Sequence, residues 1–460
     1  MIRSLNDFTA VVTTGIYCRP GCGARPNAQN TRMFTLAAAA EAAGYRACLR
    51  CRPYRELLTS NLPAPELVCR AVQLILDGAL DEENEEGLGA RLGMSARHLR
   101  RLFVQHLGAT PDQLARSART HFARRLLDDT DFNVAYIALA AGFGSVRQLN
   151  RAFNDVFRGT PNHLRSRRRA SDRLVADGGL TLRLHFRPPL DWDVMLNYLD
   201  RHALPGIENV SGKTYRRTVL VDGDPGAIEL LPGGRDYIVL RAHLPHWEGL
   251  IHFVRRARRI FNLDADSAGA AAHLVADPII GPLIRRRPGL RPPGTWDPFE
   301  IAVKAIAEHH MGRANAETAM ARIIERHGTR VTGLGAWRLT HLFPAASILA
   351  TRDLSALDLT PMAASSIKAF AHVVANQAIH LDRGSTLECL VQSMTDISGV
   401  DRCTAHHIAM RIGEPDAFPS KDVIGRELLQ AESWRPWRAH AVMYLWIAGR
   451  RIKMPPPVQN

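Results

Sequence analysis

Long apolar runs are missing from this chain. No stretch approaches the roughly 20 residues that a membrane helix needs, and no apolar core preceded by basic residues reads as a signal peptide, so a cytoplasmic protein without a membrane partner is expected. Cysteine is sparse and odd in number, seven in 460 residues. That argues against a disulfide framework and leaves Cys69, Cys389 and Cys403 as expected free thiols of a reducing compartment. Lysine is absent from the first 170 residues, which hold 24 arginines against 15 acids and so carry +9 of a formal net charge of +14. A chain this basic should bind a polyanion, with nucleic acid the obvious candidate. Its length suits about three or more domains.

The cysteine that is present clusters. Cys18 and Cys22 form a C-x3-C pair after Thr13-Thr14-Gly15-Ile16-Tyr17, and Cys48 and Cys51 form a C-x2-C pair after Ala43-Gly44-Tyr45-Arg46-Ala47. This is a zinc-site spacing. Zn²⁺ deprotonates its cysteine ligands, so four thiolates carry a net charge near −2 with the ion, and each sulfur stays nucleophilic at neutral pH. A purely structural zinc knot is the alternative. Arg19, Arg25, Arg46, Arg50 and Arg52 crowd the ligands, which suits a site that approaches phosphates and favours the reactive reading.

These residues resemble the amino-terminal methylphosphotriester-repair domain of the Ada family. The resemblance implies that Cys18 attacks the methyl group of a methylated DNA phosphate and keeps it. The methylated phosphate is neutral, whereas ordinary phosphates repel the anionic sulfur. After transfer the site carries one negative charge less. At about 8 Å from a phosphate and an effective dielectric near 20, that charge is worth roughly 2 kcal/mol, enough to raise DNA affinity about tenfold or more. No Pro-Cys-His-Arg run occurs, so the O6-alkylguanine methyltransferase half of full-length Ada is not expected.

An internal repeat follows. At an offset of fifty, Arg97, Leu99, Arg101, Phe103, Thr110-Pro111 and Leu114 superpose on Arg147, Leu149, Arg151, Phe153, Thr160-Pro161 and Leu164, with Gly93 and Gly142 ahead of them. Each copy reads as a short helix ending at glycine and a second helix opening at Ser95 or Ser145. Gln148, three residues after Ser145, predicts a capping box. Leu99, Leu102 and Phe103 recur at helical spacing and face a core, so Arg97 and Arg101 point outward, as do Arg147 and Arg151. That is a helix-turn-helix with arginines on the exposed face of its recognition helix. Two motifs joined by a helical segment through Leu114 and Leu127 resemble the AraC-family DNA-binding domain, the residues from Ala138 to Ser145 with Leu149, Phe153, Phe157 and Gly159-Thr160-Pro161 matching its second motif. The acidic run at 81–86 reads as a solvated loop, and the basic stretch at 165–169 as a linker touching phosphate.

Beyond it, residues 181–186, 215–221, 227–231 and 237–242 read as strands, with helices near 191–201 and 247–261. Pro188-Pro189-Leu190-Asp191-Trp192 and the stretch Arg287 to Gly294 resemble the amino-terminal, TBP-like domain of AlkA, 3-methyladenine DNA glycosylase II. The last third reads as helices. Ile397-Ser398-Gly399-Val400-Asp401-Arg402-Cys403-Thr404-Ala405 sits where a helix-hairpin-helix would, and Asp416 through Asp422 follow after one helix. This resembles the helix-hairpin-helix glycosylases. The resemblance implies that the hairpin around Gly399 grips a phosphate with backbone N–H groups. It puts Asp422 at the catalytic aspartate, stabilising positive charge on the deoxyribose, and Trp446 at the aromatic that stacks on a flipped, cationic alkylated base. A buried core tryptophan is the equal alternative for Trp446. The chain departs from the family in having Asp401 where the hairpin usually has glycine, His309 and His310 at the glutamine and wedge positions, and Cys403 at the aromatic. No lysine stands at the lyase position, implying monofunctional excision, and the iron–sulfur subgroup's four cysteines are absent.

The expected architecture is multidomain. A small α+β zinc domain (1–60) precedes an all-α tandem helix-turn-helix (63–169), an α+β TBP-like domain (178–290) and an all-α helix-hairpin-helix glycosylase domain (295–460). The expected cofactor is Zn²⁺ through Cys18, Cys22, Cys48 and Cys51. The expected partners are operator DNA, duplex DNA carrying methylphosphotriesters or alkylated bases, and RNA polymerase. The expected function is alkylation repair joined to activation of the response. The alternative is an activator whose glycosylase domain is catalytically degenerate.

Overall fold

The computed structural model describes residues 7–24, 26–55, 62–167, 179–419 and 431–449. Packing divides the chain into one unit of Met1–Phe186 with Val239–Arg241 and His246–Arg255, and another of Arg187–Ile238 with Ala242–Pro245 and Arg256–Asn460.

The first unit opens with four short strands, β1 (Phe8–Val11), β2 (Ile16–Cys18), β3 (Thr31–Phe34) and β4 (Arg46–Ala47), in the order β3-β1-β2-β4. Register sets Ala10, Tyr17 and Ala47 side by side. All three are fully buried, and the alanines leave room for the tyrosine ring. Because side chains alternate along a strand, Cys18 stands on the opposite face, in a row with Thr9 and Met33.

The tandem repeat folds as two helix-turn-helix motifs, Glu85–Arg91 with Ala96–Leu107 and Val134–Ala140 with Val146–Phe157, joined by the linker helix Pro111–Asp129. Each turn carries its glycine in the left-handed region, Gly93 at φ 71° and Gly142 at φ 76°. Ser95 and Ser145 cap the recognition helices by accepting from the N–H groups of His98 and Gln148. The capping box expected at Ser145 is incomplete, because Gln148 Oε1 accepts from Gly144 N–H at 3.1 Å, one residue too early. The complete box is Thr110 with Gln113, at the start of the linker helix. The first motif's core of Leu88, Leu99, Phe103 and Leu107 also takes in Leu36, Ala38 and Ala39 from the amino-terminal segment.

Residues 81–86 are not the loop the sequence suggested, although Asn84 and Glu86 are exposed. They cross the end of helix Ala79–Glu82 and the start of Glu85–Arg91. Asp81 pairs with Arg119 and His252, Glu83 with Arg91 at 2.7 Å, and Glu85 with Arg100 at 3.0 Å. Acids favour a helix N-terminus, and the surplus of arginine supplies partners.

Strands β5 (Leu180–His185), β6 (Glu208–Ser211), β7 (Thr214–Val221), β8 (Asp224–Gly234) and β9 (Tyr237–His243) form one sheet in the order β5-β9-β8-β7-β6. Asp222 and Gly223, at φ 47° and 95°, make the two-residue turn between β7 and β8, the geometry that an Asp-Gly pair supplies readily. In the second unit, Arg217 of β7 is fully buried and donates through Nη2 to both carboxylate oxygens of Glu300 at 2.8 Å. Glu300 lies on helix Pro298–Met311, which packs with Arg313–His327, Pro361–Ala375, Leu387–Thr395 and Arg402–Ile412 around Ile306, Ile323, Phe370 and Met410. No helix among the described residues is long and apolar enough to cross a membrane.

Removing one partner of a buried, bidentate ion pair strands the other charge. Arg217→Met should therefore cost about 3 to 5 kcal/mol in urea unfolding, while the double variant with Glu300→Leu should recover most of that loss. Equal stability of wild type and Arg217→Met would show that the pair does not anchor the sheet to the helices.

Candidate metal centre and nucleic-acid interfaces

Cys18 ends β2, Cys22 follows in a turn, and Cys48 and Cys51 follow β4. The thiols of Cys18, Cys22 and Cys51 lie within 4.8 Å of one another. Cys48 N–H donates to Tyr17 O at 2.9 Å, which ties the second pair of cysteines to the strand of the first. The hydrogen bond to Cys51, then burial and the neighbouring sulfurs, push the Cys18 thiol far above its ordinary range. The hydrogen bond from Cys18 and the N–H of Arg19 pull Cys51 down to about 5. Thiolates this close resist ionising together, and a dication among them relieves the conflict. The donor set therefore fits Zn²⁺. Cys18 lines a surface groove of about 460 Å³ with Thr9, Val11, Thr31 and Met33.

Of the arginines expected around the ligands, Arg19 and Arg50 are exposed. Arg52 points inward, 3.9 Å from the fully buried Asp128, and so does not face the phosphates the sequence reading gave it. Arg25 lies outside the described residues. Arg97 and Arg101 are exposed on the first recognition helix, and Arg147 and Arg151 on the second. Arg101 Nη2 lies 3.0 Å from His98 Nδ1. Arg165 turns back to donate to Phe132 O, and residues 168–169 of the expected basic linker lie outside the described residues.

The hairpin between helices Leu387–Thr395 and Arg402–Ile412 holds Gly399 at φ 82°. A Cβ there would sit 1.8 Å from Ser366 Oγ, so only glycine fits. His310 Nε2 donates to Gly399 O at 2.8 Å, which fixes its tautomer because a carbonyl only accepts. Asp401 is the N-cap of the following helix, accepting from Thr404 N–H at 2.7 Å, and lies 3.5 Å from His309 Nδ1. The two histidines thus brace the hairpin, a role the sequence reading missed. Cys403 is half-buried on the helix that Asp401 caps.

Asp422 lies outside the described residues, although the segment leading to it is anchored. Arg438 grips both Asp416 oxygens at 2.8 and 2.9 Å, and Phe418 N–H donates to His406 Nδ1 at 3.2 Å. Burial, followed by Arg402, lowers His406 to about 4, so its Nδ1 is free to accept at neutral pH. Trp446 is half-buried, its ring 5.8 Å from that of His407 at an interplanar angle of 27°. Burial, followed by Arg411 and Lys304, holds His407 neutral at about 3. His407 faces Trp446 from one helical turn beyond Cys403, and no spacing rule in the sequence singled it out.

Loss of an N-cap carboxylate is worth about 1 kcal/mol when alanine replaces it and a few tenths when glycine does. Asp401→Ala should therefore lower unfolding stability by about 1 kcal/mol, with Asp401→Gly milder. A neutral alanine variant in urea melts would remove the capping role.

Three family models match the chain. They are the metal binding domain of Ada over residues 6–54, a helix-turn-helix domain over 88–167 and the AlkA N-terminal domain over 181–297. The chain is 36% identical over 462 aligned residues to the probable bifunctional transcriptional activator/DNA repair enzyme AlkA of Mycobacterium tuberculosis, covering 95% of this chain and 92% of that protein. It is 27% identical to DNA-3-methyladenine glycosylase 2 of Escherichia coli over 57% of this chain and 95% of that protein. It is 35% identical to the bifunctional transcriptional activator/DNA repair enzyme Ada of Escherichia coli over 29% of this chain and 37% of that protein. The 3-methyladenine DNA-glycosylase of Archaeoglobus fulgidus shares the fold of 58% of this chain and 98% of its own, at a TM-score of 0.50 and 21% identity. With its thiol cluster fitted to Zn²⁺, its paired helix-turn-helix motifs and its glycosylase fold, the chain belongs to the family of bifunctional transcriptional activator/DNA repair enzymes that join Ada-type and AlkA-type domains.

Proposed function

We propose that this protein repairs alkylated DNA in two ways and regulates the response to it. The observation that carries the reading is that Cys18 stands at the centre of a thiol cluster and opens on a surface groove edged by the exposed Arg19. In this reading Cys18, Cys22, Cys48 and Cys51 hold the zinc, and the bound ion keeps the sulfurs ionised. The Cys18 sulfur attacks the methyl carbon of a methylphosphotriester in duplex DNA. The carbon–oxygen bond breaks, the phosphodiester leaves as an anion, and the protein keeps a thioether. Arg97, Arg101, Arg147 and Arg151 read operator DNA, and RNA polymerase is the partner of the activated form. The boundaries that go with this division of labour are 1–60, 63–169, 178–290 and 295–460.

The second activity is monofunctional release of alkylated purines. The Gly399 hairpin takes a phosphate, the flipped base stacks on Trp446, and the Asp422 carboxylate offsets the positive charge that grows on the deoxyribose as the glycosidic bond breaks. The anchoring of Asp416 and Phe418 supports a fixed approach to that carboxylate.

Peptide mass spectrometry after exposure to methylphosphotriester DNA should find one methyl group on Cys18, and metal analysis one zinc per chain, lost in Cys48→Ser. A methyl group on another cysteine, or on none, refutes Cys18 as acceptor.

Asp422→Asn should abolish release of 3-methyladenine from DNA while leaving duplex affinity nearly unchanged, since one carboxylate adds little to binding a polyanion. If wild type and variant release base at the same negligible rate, the activator with a degenerate glycosylase domain is the better reading.

A further inference from the structure

We infer that the state of Cys18 is read by the helix joining the two DNA-binding motifs, through the Glu41 carboxylate that Tyr17 and His121 share. The inference rests on the reading of Cys18 as methyl acceptor and adds a route by which that event reaches the DNA-binding motifs.

The route starts with strand alternation. Cys18 faces the groove, and Tyr17, the next residue along β2, points to the opposite side and is fully buried. The Tyr17 hydroxyl donates to Glu41 Oε1 at 2.5 Å. The same oxygen lies 2.7 Å from His121 Nε2, which is itself 3.2 Å from the Tyr17 oxygen. Glu41 sits on the short helix Ala37–Ala42, and His121 near the middle of the linker helix Pro111–Asp129. The Glu41 and His121 side chains are only 10% and 11% exposed, so water contributes little to this triangle. A buried carboxylate with so few donors is sensitive to their placement.

Cys51, the last of the four clustered cysteines, is tied to the same helix. Cys51 is followed by Arg52, 3.9 Å from Asp128, and then by Tyr54, whose hydroxyl donates to Asp128 Oδ2 at 2.9 Å. His121 and Asp128 are seven residues apart and therefore lie on one face of the helix. The second recognition helix is held as well, because Phe157 packs edge-on against Tyr54 and Arg158 Nη2 donates to Gly44 O at 3.1 Å. Residues covalently next to the first and last cysteines thus grip the element that spaces the two motifs.

Methyl transfer turns the Cys18 thiolate into a bulkier and weaker donor at a position only 7% exposed. The end of β2 must adjust, and Tyr17 moves with it. This route differs physically from the loss of one charge near DNA. A charge acts at a distance and is screened by salt, whereas a buried hydrogen-bonded contact is short-ranged and scarcely screened.

The test uses full-length, zinc-loaded protein, methylphosphotriester duplex as donor, and a probe duplex selected from random sequence by the methylated wild type. Affinity is measured before and after methylation, at low and at high salt, for wild type, Tyr17→Phe, His121→Leu and His121→Gln. Zinc content and methyl uptake should match wild type in all of them. In wild type, part of the methylation-dependent gain, about threefold or more, should survive high salt. Tyr17→Phe and His121→Leu should lose that part, and His121→Gln, whose amide can still donate to Glu41, should keep it. The same gain in every variant at both salts would overturn the inference. Loss of methyl uptake in both Tyr17→Phe and His121→Leu would also overturn it, by making the triangle part of the metal site. Absence of methyl from Cys18 in wild type would instead bring down the underlying reading.

Discussion

Sulfurs gathered around one point cannot all ionise unless a dication sits among them, and the amino-terminal segment that carries them is small. Its strands are two to four residues long, and a segment of that size ordinarily needs a metal or a partner to bury enough surface. The fold provides for both. The thiols of Cys18, Cys22 and Cys51 converge within ligand reach, and Leu36, Ala38 and Ala39 join the core of the first helix-turn-helix motif. The zinc-binding segment is therefore part of the packing of the first DNA-binding motif.

The glycosylase half solves a different problem, that of fixing irregular backbone with imidazole side chains from neighbouring helices. His310 and His406 do this in opposite senses. His310 holds the hairpin by donating from Nε2 to Gly399 O, and His406 fixes the segment after the next helix by accepting at Nδ1 from Phe418 N–H. Burial makes the second role possible, because it keeps His406 unprotonated well below neutral pH. Arg217 and Glu300 show the other solution, in which two ionisable groups are paired inside the protein.

Much of this was legible in the sequence because the signals were local. Cysteine spacing, the fifty-residue repeat and the serine caps each follow from a few adjacent residues, and each has its counterpart in the fold. What was missed is long-range. Strand β6 carries only Glu208, Asn209, Val210 and Ser211, with no alternation to mark it, and exists because β7 pairs with it. The pairing of Asp81 was not visible because Arg119 and His252 are far away in sequence. Arg52 looked like a phosphate ligand because nothing near it in sequence announces Asp128. His121, His310 and His407 carry no spacing signal, since each acts on a residue from another element.

The aspartate in the hairpin illustrates how a departure from a family pattern changes weight once its surroundings are known. Read alone, Asp401 puts a negative charge at a turn meant for phosphate. In the fold its carboxylate is engaged by Thr404 N–H and faces His309, and its side chain is 41% exposed. A unit charge about 5 Å from a phosphate in water-like dielectric is worth less than about 1 kcal/mol. The loss of an oriented carboxylate beside a developing oxocarbenium ion is a larger matter, because pre-aligned electrostatic groups in dry sites supply several kcal/mol of transition-state stabilisation. On the proposed reading, the hairpin's aspartate therefore weakens DNA binding only modestly, and excision would depend far more on Asp422.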